Sequence, residues 1–302
     1  MDPMNVAAID IGTNSVRLLI TDEAGVERVR LMRITRLGQG VDQKGVLQTD
    51  AIARTLDVLE AYGEALAAHK VARVRVTATS AARDASNRQS FFDAVQRSLG
   101  YAPELLSGDE EALLSFRGAT SGLAGAHAAP YLVVDIGGGS TEFCFGTREP
   151  EQAISLNVGC VRLTERHLSG DPPTPEQLQA CYDDVNVALQ QVRDTVDVSR
   201  AQTVVGLAGT VTSLAHMQLG LREYSPEQTH HSLLSADQVF TMAQRLSTAT
   251  VAERAQLLAE PKRAEVIVGG VIVLNALMRE LQVPQILVSE ADILDGLAAS
   301  LR

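Results

Sequence analysis

A short string occurs twice in this chain. Ala8-Ile9-Asp10-Ile11-Gly12-Thr13-Asn14-Ser15 and Val133-Val134-Asp135-Ile136-Gly137-Gly138-Gly139-Ser140 share an apolar pair, Asp-Ile-Gly and a serine at the same offset. Each runs into an apolar stretch, Val16-Arg17-Leu18-Leu19-Ile20 or Glu142-Phe143-Cys144-Phe145, so each predicts strand, glycine turn, strand. Two such matches, one near the start of each half, point to a duplicated domain. A length of 302 residues suffices for two hydrophobic cores. The halves are expected at 1–125 and 126–302, linked through Gly122 to Pro130, a small-residue stretch with no periodic pattern.

Strands and helices alternate along both halves. Asp50 to Ala68 places Ile52, Leu56, Leu59 and Leu66 on one helical face, and Val71 to Thr79 follows as a strand. Thr174-Pro175-Glu176-Gln177 opens a helix with Thr174 as N-cap, Pro175 in the first position and Gln177 closing a capping box. Leu178, Tyr182, Val185, Leu189, Val192 and Val196 form its apolar stripe. A strand at Thr203 to Leu207 then runs into a helix opening at Ala208-Gly209-Thr210. This is an α/β chain.

Charge narrows the ligands. Asp and Glu number 37 against 26 Lys and Arg, a net charge of -11, which leaves no broad basic surface for nucleic acid or anionic lipid. No run approaches the roughly 18 apolar residues of a membrane span. Met1-Asp2-Pro3-Met4 shows no charged-then-apolar leader, so a cytoplasmic protein is expected. Cys144, Cys160 and Cys181 form no CxxC and read as reduced, buried residues. The six histidines show no metal spacing and are assigned no catalysis.

Any anion must therefore be held locally. Gly137-Gly138-Gly139-Ser140-Thr141 lets backbone N–H groups converge on a phosphate with no Cβ in the way, or else is a plain glycine hairpin. Gly12-Thr13-Asn14-Ser15 offers the same turn with hydroxyl and amide side chains added. Gly206-Leu207-Ala208-Gly209-Thr210 ends a strand and opens a helix, where unpaired N–H groups favour an anion; it is neither a P-loop nor GxGxxG. Asp10 and Asp135 each precede a glycine loop, and a carboxylate beside a phosphate needs a cation between them. With Glu142 as a third carboxylate, Mg²⁺ is expected, although Asp before a turn also bonds to turn backbone.

Ser107-Gly108-Asp109-Glu110-Glu111 opens a further helix. With Ser107 as N-cap, Glu110 completes a capping box, and Glu111, rotated by about 100°, is left to activate a water. Alternatively both glutamates only complement the helix dipole. Arg83, in Ala78-Thr79-Ser80-Ala81-Ala82-Arg83-Asp84, could grip a phosphate with its bidentate fork, or be a surface or salt-bridged arginine.

Taken together the motifs resemble the exopolyphosphatase and guanosine pentaphosphate phosphohydrolase family, within the actin-like, sugar-kinase and Hsp70 ATPase superfamily. The resemblance spans the chain and rests on Asp10 to Ser15, Ala78 to Asn87, Ser107 to Ala112, Asp135 to Glu142, Asn157-Val-Gly-Cys-Val-Arg-Leu-Thr-Glu165 and Gly206 to Thr210. It implies two ribonuclease-H-like domains with an interdomain cleft, and Mg²⁺-dependent hydrolysis of a terminal phosphoanhydride. In that scheme Glu111 is the base, and Thr13, Asn14, Ser15, Arg83, Gly137, Gly138, Gly139, Ser140, Gly209 and Thr210 hold phosphate. Asp10, Asp135 and Glu142 organise the metal. Inorganic polyphosphate is the expected substrate, with guanosine pentaphosphate the alternative. Longer relatives continue into a helical extension where this chain stops at Arg302, and Cys160 replaces a serine common in the family. A small-molecule kinase and a non-catalytic nucleotide sensor are the remaining readings, and a homodimer is left open.

Overall fold

The computed structural model describes residues 5–302. The leader expectation at Met1 to Met4 falls outside the described residues. The chain divides into two compact units: one runs to Gly118 and takes in Ile293–Arg302, and the other is Ala119–Asp292.

In the first unit, β1 (Asn5–Ile11), β2 (Ser15–Thr21), β3 (Glu27–Ile34), β4 (Val71–Ala78) and β5 (Glu104–Leu105) form one sheet in the order β3-β2-β1-β4-β5. β2 is antiparallel to β1 and β3, while β4 is parallel to β1 and β5. Val6 to Ile9 are wholly buried, as expected of a central strand covered on both faces.

The second unit repeats this plan. β6 (Tyr131–Ile136), β7 (Thr141–Gly146), β8 (Pro150–Leu156), β9 (Thr203–Leu207), β10 (Leu233–Ser235) and β11 (Gln285–Val288) take the order β10-β11-β9-β6-β7-β8. β8-β7-β6-β9-β11 matches β3-β2-β1-β4-β5, with β10 added antiparallel at the edge. Each unit thus has the ribonuclease-H-like sheet that the resemblance implies.

The boundaries differ from 1–125 and 126–302. Gly122 to Pro130 is no linker: Leu123 is buried, and Pro130 O and Ala128 O accept from Gln202 N and Thr203 Oγ1 at 2.8 and 2.7 Å, which ties the segment to β9. At the other end, Ile293, Leu294, Leu297 and Ala298 form a helical stripe buried against Ala8, Leu19, Leu106 and Leu114. A Cβ on Gly296 would stand 2.2 Å from Leu114 O, so glycine permits that approach.

The Thr174 capping box forms, with Gln177 N donating to Thr174 Oγ1 at 3.3 Å and Thr174 N to Gln177 Oε1 at 3.1 Å. In the helix Thr49–Ala68 the fully buried line is Ala51, Thr55, Leu59, Tyr62 and Leu66, so Ile52 and Leu56 lie at its margin. The helix Ile267–Glu280 is buried continuously from Ile267 to Met278 and forms the centre of the second core. Cys144, Cys160 and Cys181 are buried without disulfides, and burial pushes the Cys160 and Cys181 thiols up to about 11 and about 12. Among the described residues no helix is long and apolar enough to cross a membrane.

Candidate active site

The two repeated strings fold into equivalent hairpins. Gly12 N donates to Ser15 O, and Gly137 N to Ser140 O, both at 3.0 Å. A Cβ would stand 3.1 and 3.0 Å from those same carbonyls, which accounts for glycine at both positions. The N–H of Gly137, expected on a phosphate, is therefore spent on closing the turn. The rest of each loop has its carbonyls tied back. Thr13 O accepts from Gly38 N at 2.8 Å, and Asn14 O from Thr35 N and Arg36 N at 3.0 and 2.9 Å. Gly137 O accepts from Cys160 N at 3.0 Å, and Gly138 O from Val161 N and Arg162 N at 2.8 and 3.1 Å.

Because the peptide is planar and trans, an oxygen tied to one side sends the following N–H to the other. Among the described backbone bonds, the N–H groups of Thr13, Asn14, Gly138 and Gly139 donate to no carbonyl. The side-chain amide of Asn14 is buried with neither Oδ1 nor Nδ2 hydrogen-bonded. Buried polar atoms are rarely left so unless water, an ion or a ligand uses them.

Opposite each aspartate in the hairpin register stands a charged residue, Arg17 facing Asp10 and Glu142 facing Asp135. Arg17 donates Nη2 and Nε to Asp10 Oδ2 at 2.6 and 3.2 Å. Ser155 Oγ donates to Glu142 Oε1 at 2.6 Å. Asp10 Oδ1 and Glu142 Oε2 are buried and accept no hydrogen bond, so each presents an oxygen of the kind a hard cation takes. Among the described residues, however, no three His, Cys, Asp or Glu side chains gather into a metal-binding group. Asp10 belongs to the first unit, and Asp135 and Glu142 to the second. The donors fit Mg²⁺ in the form it commonly takes, with one or two carboxylates and the remaining positions filled by water and phosphate oxygens.

The helix Gly108–Thr120 begins as the sequence predicts. Glu110 N donates to Ser107 Oγ at 3.2 Å, and Ser107 N to Glu110 Oε2 at 2.9 Å. These bonds hold the Glu110 carboxyl below the usual glutamate range. Glu111 points elsewhere and accepts from Arg83 Nη1 at 2.7 Å, while the same nitrogen donates to Leu106 O at 3.0 Å. Arg83 is thus salt-bridged, and its partner is the candidate base.

Residues 22–301 match a family model described as the Ppx/GppA phosphatase family. The chain belongs to this family. It is 46% identical to exopolyphosphatase 2 of Mycobacterium tuberculosis over 98% of both chains. It is 30% identical to the guanosine-5'-triphosphate,3'-diphosphate pyrophosphatase of Vibrio atlanticus, covering 99% of this chain and 59% of that one. The crystal structure of an exopolyphosphatase from Cytophaga hutchinsonii superposes with a TM-score of 0.90 at 28% identity, over 99% of this chain and 97% of that one.

In this Ppx/GppA phosphatase the third glycine motif carries a feature that motif reading missed. Ala208, the first residue of the helix Ala208–Gln218, has φ 66°, in the left-handed region. The Arg263 guanidinium lies where a Gly209 side chain would be, its Nη1 within 1.7 Å of the Cβ position. A cation therefore stands at this helix start, close enough to lower the Cys160 thiol against its burial. Thr210 is buried beneath Gly270, whose Cβ would stand 2.1 Å from Thr210 Oγ1. Arg263 lies in Pro261-Lys262-Arg263, outside every glycine motif, and only its pairing with Lys262 in a lysine-poor chain hints at it. Arg17 and Arg162 sit inside the quoted motifs, but their partners are set by the fold.

Proposed function

We propose that this chain is an exopolyphosphatase that releases terminal orthophosphate from inorganic polyphosphate. The observation that carries the reading is the tying back of carbonyls in both glycine loops, which turns N–H groups outward on a protein of net charge -11. A polyanion needs such local donors where the overall field repels it. The N–H groups of Thr13, Asn14, Gly138 and Gly139, the Asn14 amide, the Ser15 and Ser140 hydroxyls, and Gly209-Thr210 with Arg263 take phosphate oxygens. Gly137 shapes the turn.

Glu111, oriented by Arg83, accepts a proton from a water as its oxygen bonds to the terminal phosphorus. The bond from that phosphorus to the bridging oxygen breaks, and its electron pair leaves with the shortened chain. Catalysis is positioning plus charge stabilisation around an in-line displacement. Asp10, Asp135 and Glu142 would hold Mg²⁺, which when bound neutralises phosphate charge.

Polyphosphate is preferred to guanosine pentaphosphate because identity to the mycobacterial exopolyphosphatase is higher and covers both chains almost fully. A cytoplasmic location belongs to the same reading. Phosphate release with Mg²⁺ from polyphosphate, guanosine pentaphosphate and ATP, assayed side by side, tests it: fastest release from polyphosphate is expected, and preference for the guanosine nucleotide overturns it.

A further inference from the structure

We infer that Arg162 and the start of the helix Cys160–His167 are the positioning element of the second glycine loop, acting on phosphate through the loop's peptide groups. The inference rests on the phosphate-holding role proposed for that loop. First-turn N–H groups of a helix have no partner within the helix, and commonly bind an anion directly. Here three are spent on the loop: Cys160 N on Gly137 O at 3.0 Å, and Val161 N and Arg162 N on Gly138 O at 2.8 and 3.1 Å. Arg162 then turns its side chain back and donates Nε to Gly139 O at 2.6 Å.

Three successive carbonyls are thus drawn toward one helix end, so the N–H groups of Gly138, Gly139 and Ser140 are sent the opposite way. The close approach depends on Gly159, where a Cβ would stand 2.6 Å from both C and O of Gly138 and 2.8 Å from C of Gly139. Gly159 has φ -160°, ordinary extended backbone, so it is there for space and not for conformation.

Arg162 adds something that main-chain donors do not. It is buried, and a guanidinium bonded to a peptide oxygen in a poorly solvated place polarises that peptide, strengthening the Ser140 N–H as a donor on the other side. In the first unit the matching carbonyls of Thr13 and Asn14 are held by main-chain N–H groups of Gly38, Thr35 and Arg36. The second loop is therefore the one whose hydrogen-bonding strength depends on a buried cation behind it.

The test uses the full chain labelled with ¹⁵N-glycine and ¹⁵N-serine and titrated with inorganic phosphate, beside kinetics on polyphosphate with Mg²⁺. In the wild type, phosphate should shift the Gly138, Gly139 and Ser140 amide resonances. Gly159→Ala should abolish all three shifts and Arg162→Met the Ser140 shift, each lowering kcat roughly 10- to 100-fold with a smaller change in KM, since weakened donors matter most as charge develops. Arg162→Lys, which keeps the charge without the fixed Nε, should fall between. A wild-type Ser140 shift and kcat in folded Arg162→Met or Arg162→Lys, with only the melting temperature lowered, would mean a structural role and overturn the inference. If the wild type hydrolyses no polyphosphate, the amide shifts still decide this inference separately from the substrate.

Discussion

Arg83 donates Nη1 to Glu111 Oε2 at 2.7 Å, so the candidate base and the arginine expected on the phosphate form one ion pair. The pair joins the short helix Ser80–Asp84, after β4, to the first turn of the helix Gly108–Thr120. Its neighbour Glu110 is withdrawn into the capping box, so adjacent carboxylates have different tasks.

Glu111→Gln should therefore lower turnover by roughly 10²–10⁴-fold while substrate binding persists. Glu110→Ala should instead open the cap and cost about 1 kcal/mol of stability with turnover largely kept. Because the Glu110 carboxyl is held below its ordinary 4.5, its contribution is fully present above that pH and is lost as pH falls through the lowered folded value. The stability gap between wild type and Glu110→Ala, followed by thermal melting, should narrow below about pH 4.5. Loss of turnover in the Glu110 variant but not in Glu111→Gln would reverse the assignment.

Arg83→Lys should rescue poorly relative to Arg83→Ala. Nη1 alone serves both Glu111 and Leu106 O in a fixed planar fork, and a lysine offers a single nitrogen in place of the fork's three. Phosphate-release kinetics decide it: full activity in the lysine variant would mean that charge alone suffices.

Chelation should stop hydrolysis and Mg²⁺ should restore it. Asp10→Asn and Glu142→Gln should each raise the Mg²⁺ concentration needed for half-maximal rate, because each alters a carboxylate with a buried oxygen that accepts no hydrogen bond. Full activity after exhaustive dialysis against EDTA would sink the carboxylate assignment.

Partial digestion of a long polyphosphate, resolved on a gel, should give a ladder of shortening chains. With a net charge of -11 there is little attraction away from the local donors to retain a polyanion between cleavages. Full-length chains persisting beside free phosphate, with nothing between them, would require a basic track that the charge balance argues against.

What the sequence made legible was local or repeated. Both hairpins follow from strings whose glycines the turn requires, and the Ser107 and Thr174 capping boxes follow from residue spacing alone. The roles of Arg17, Arg162 and Arg263 were not legible, because each is defined by a partner that tertiary structure brings up: Asp10 across a strand pair, Gly139 O behind a loop, Gly209 at a helix start. The helix Ile267–Glu280 gave no period because it is apolar on every side.

The return of Ile293–Arg302 to the first unit has a consequence for synthesis. A ribosome making this chain emits β1 to β5 first, yet the stripe that covers Ala8, Leu19, Leu106 and Leu114 emerges only after the whole second unit has been made. The second unit can close as an uninterrupted stretch of chain, whereas the first must wait with part of its apolar surface bare. The half begun first is thus completed last.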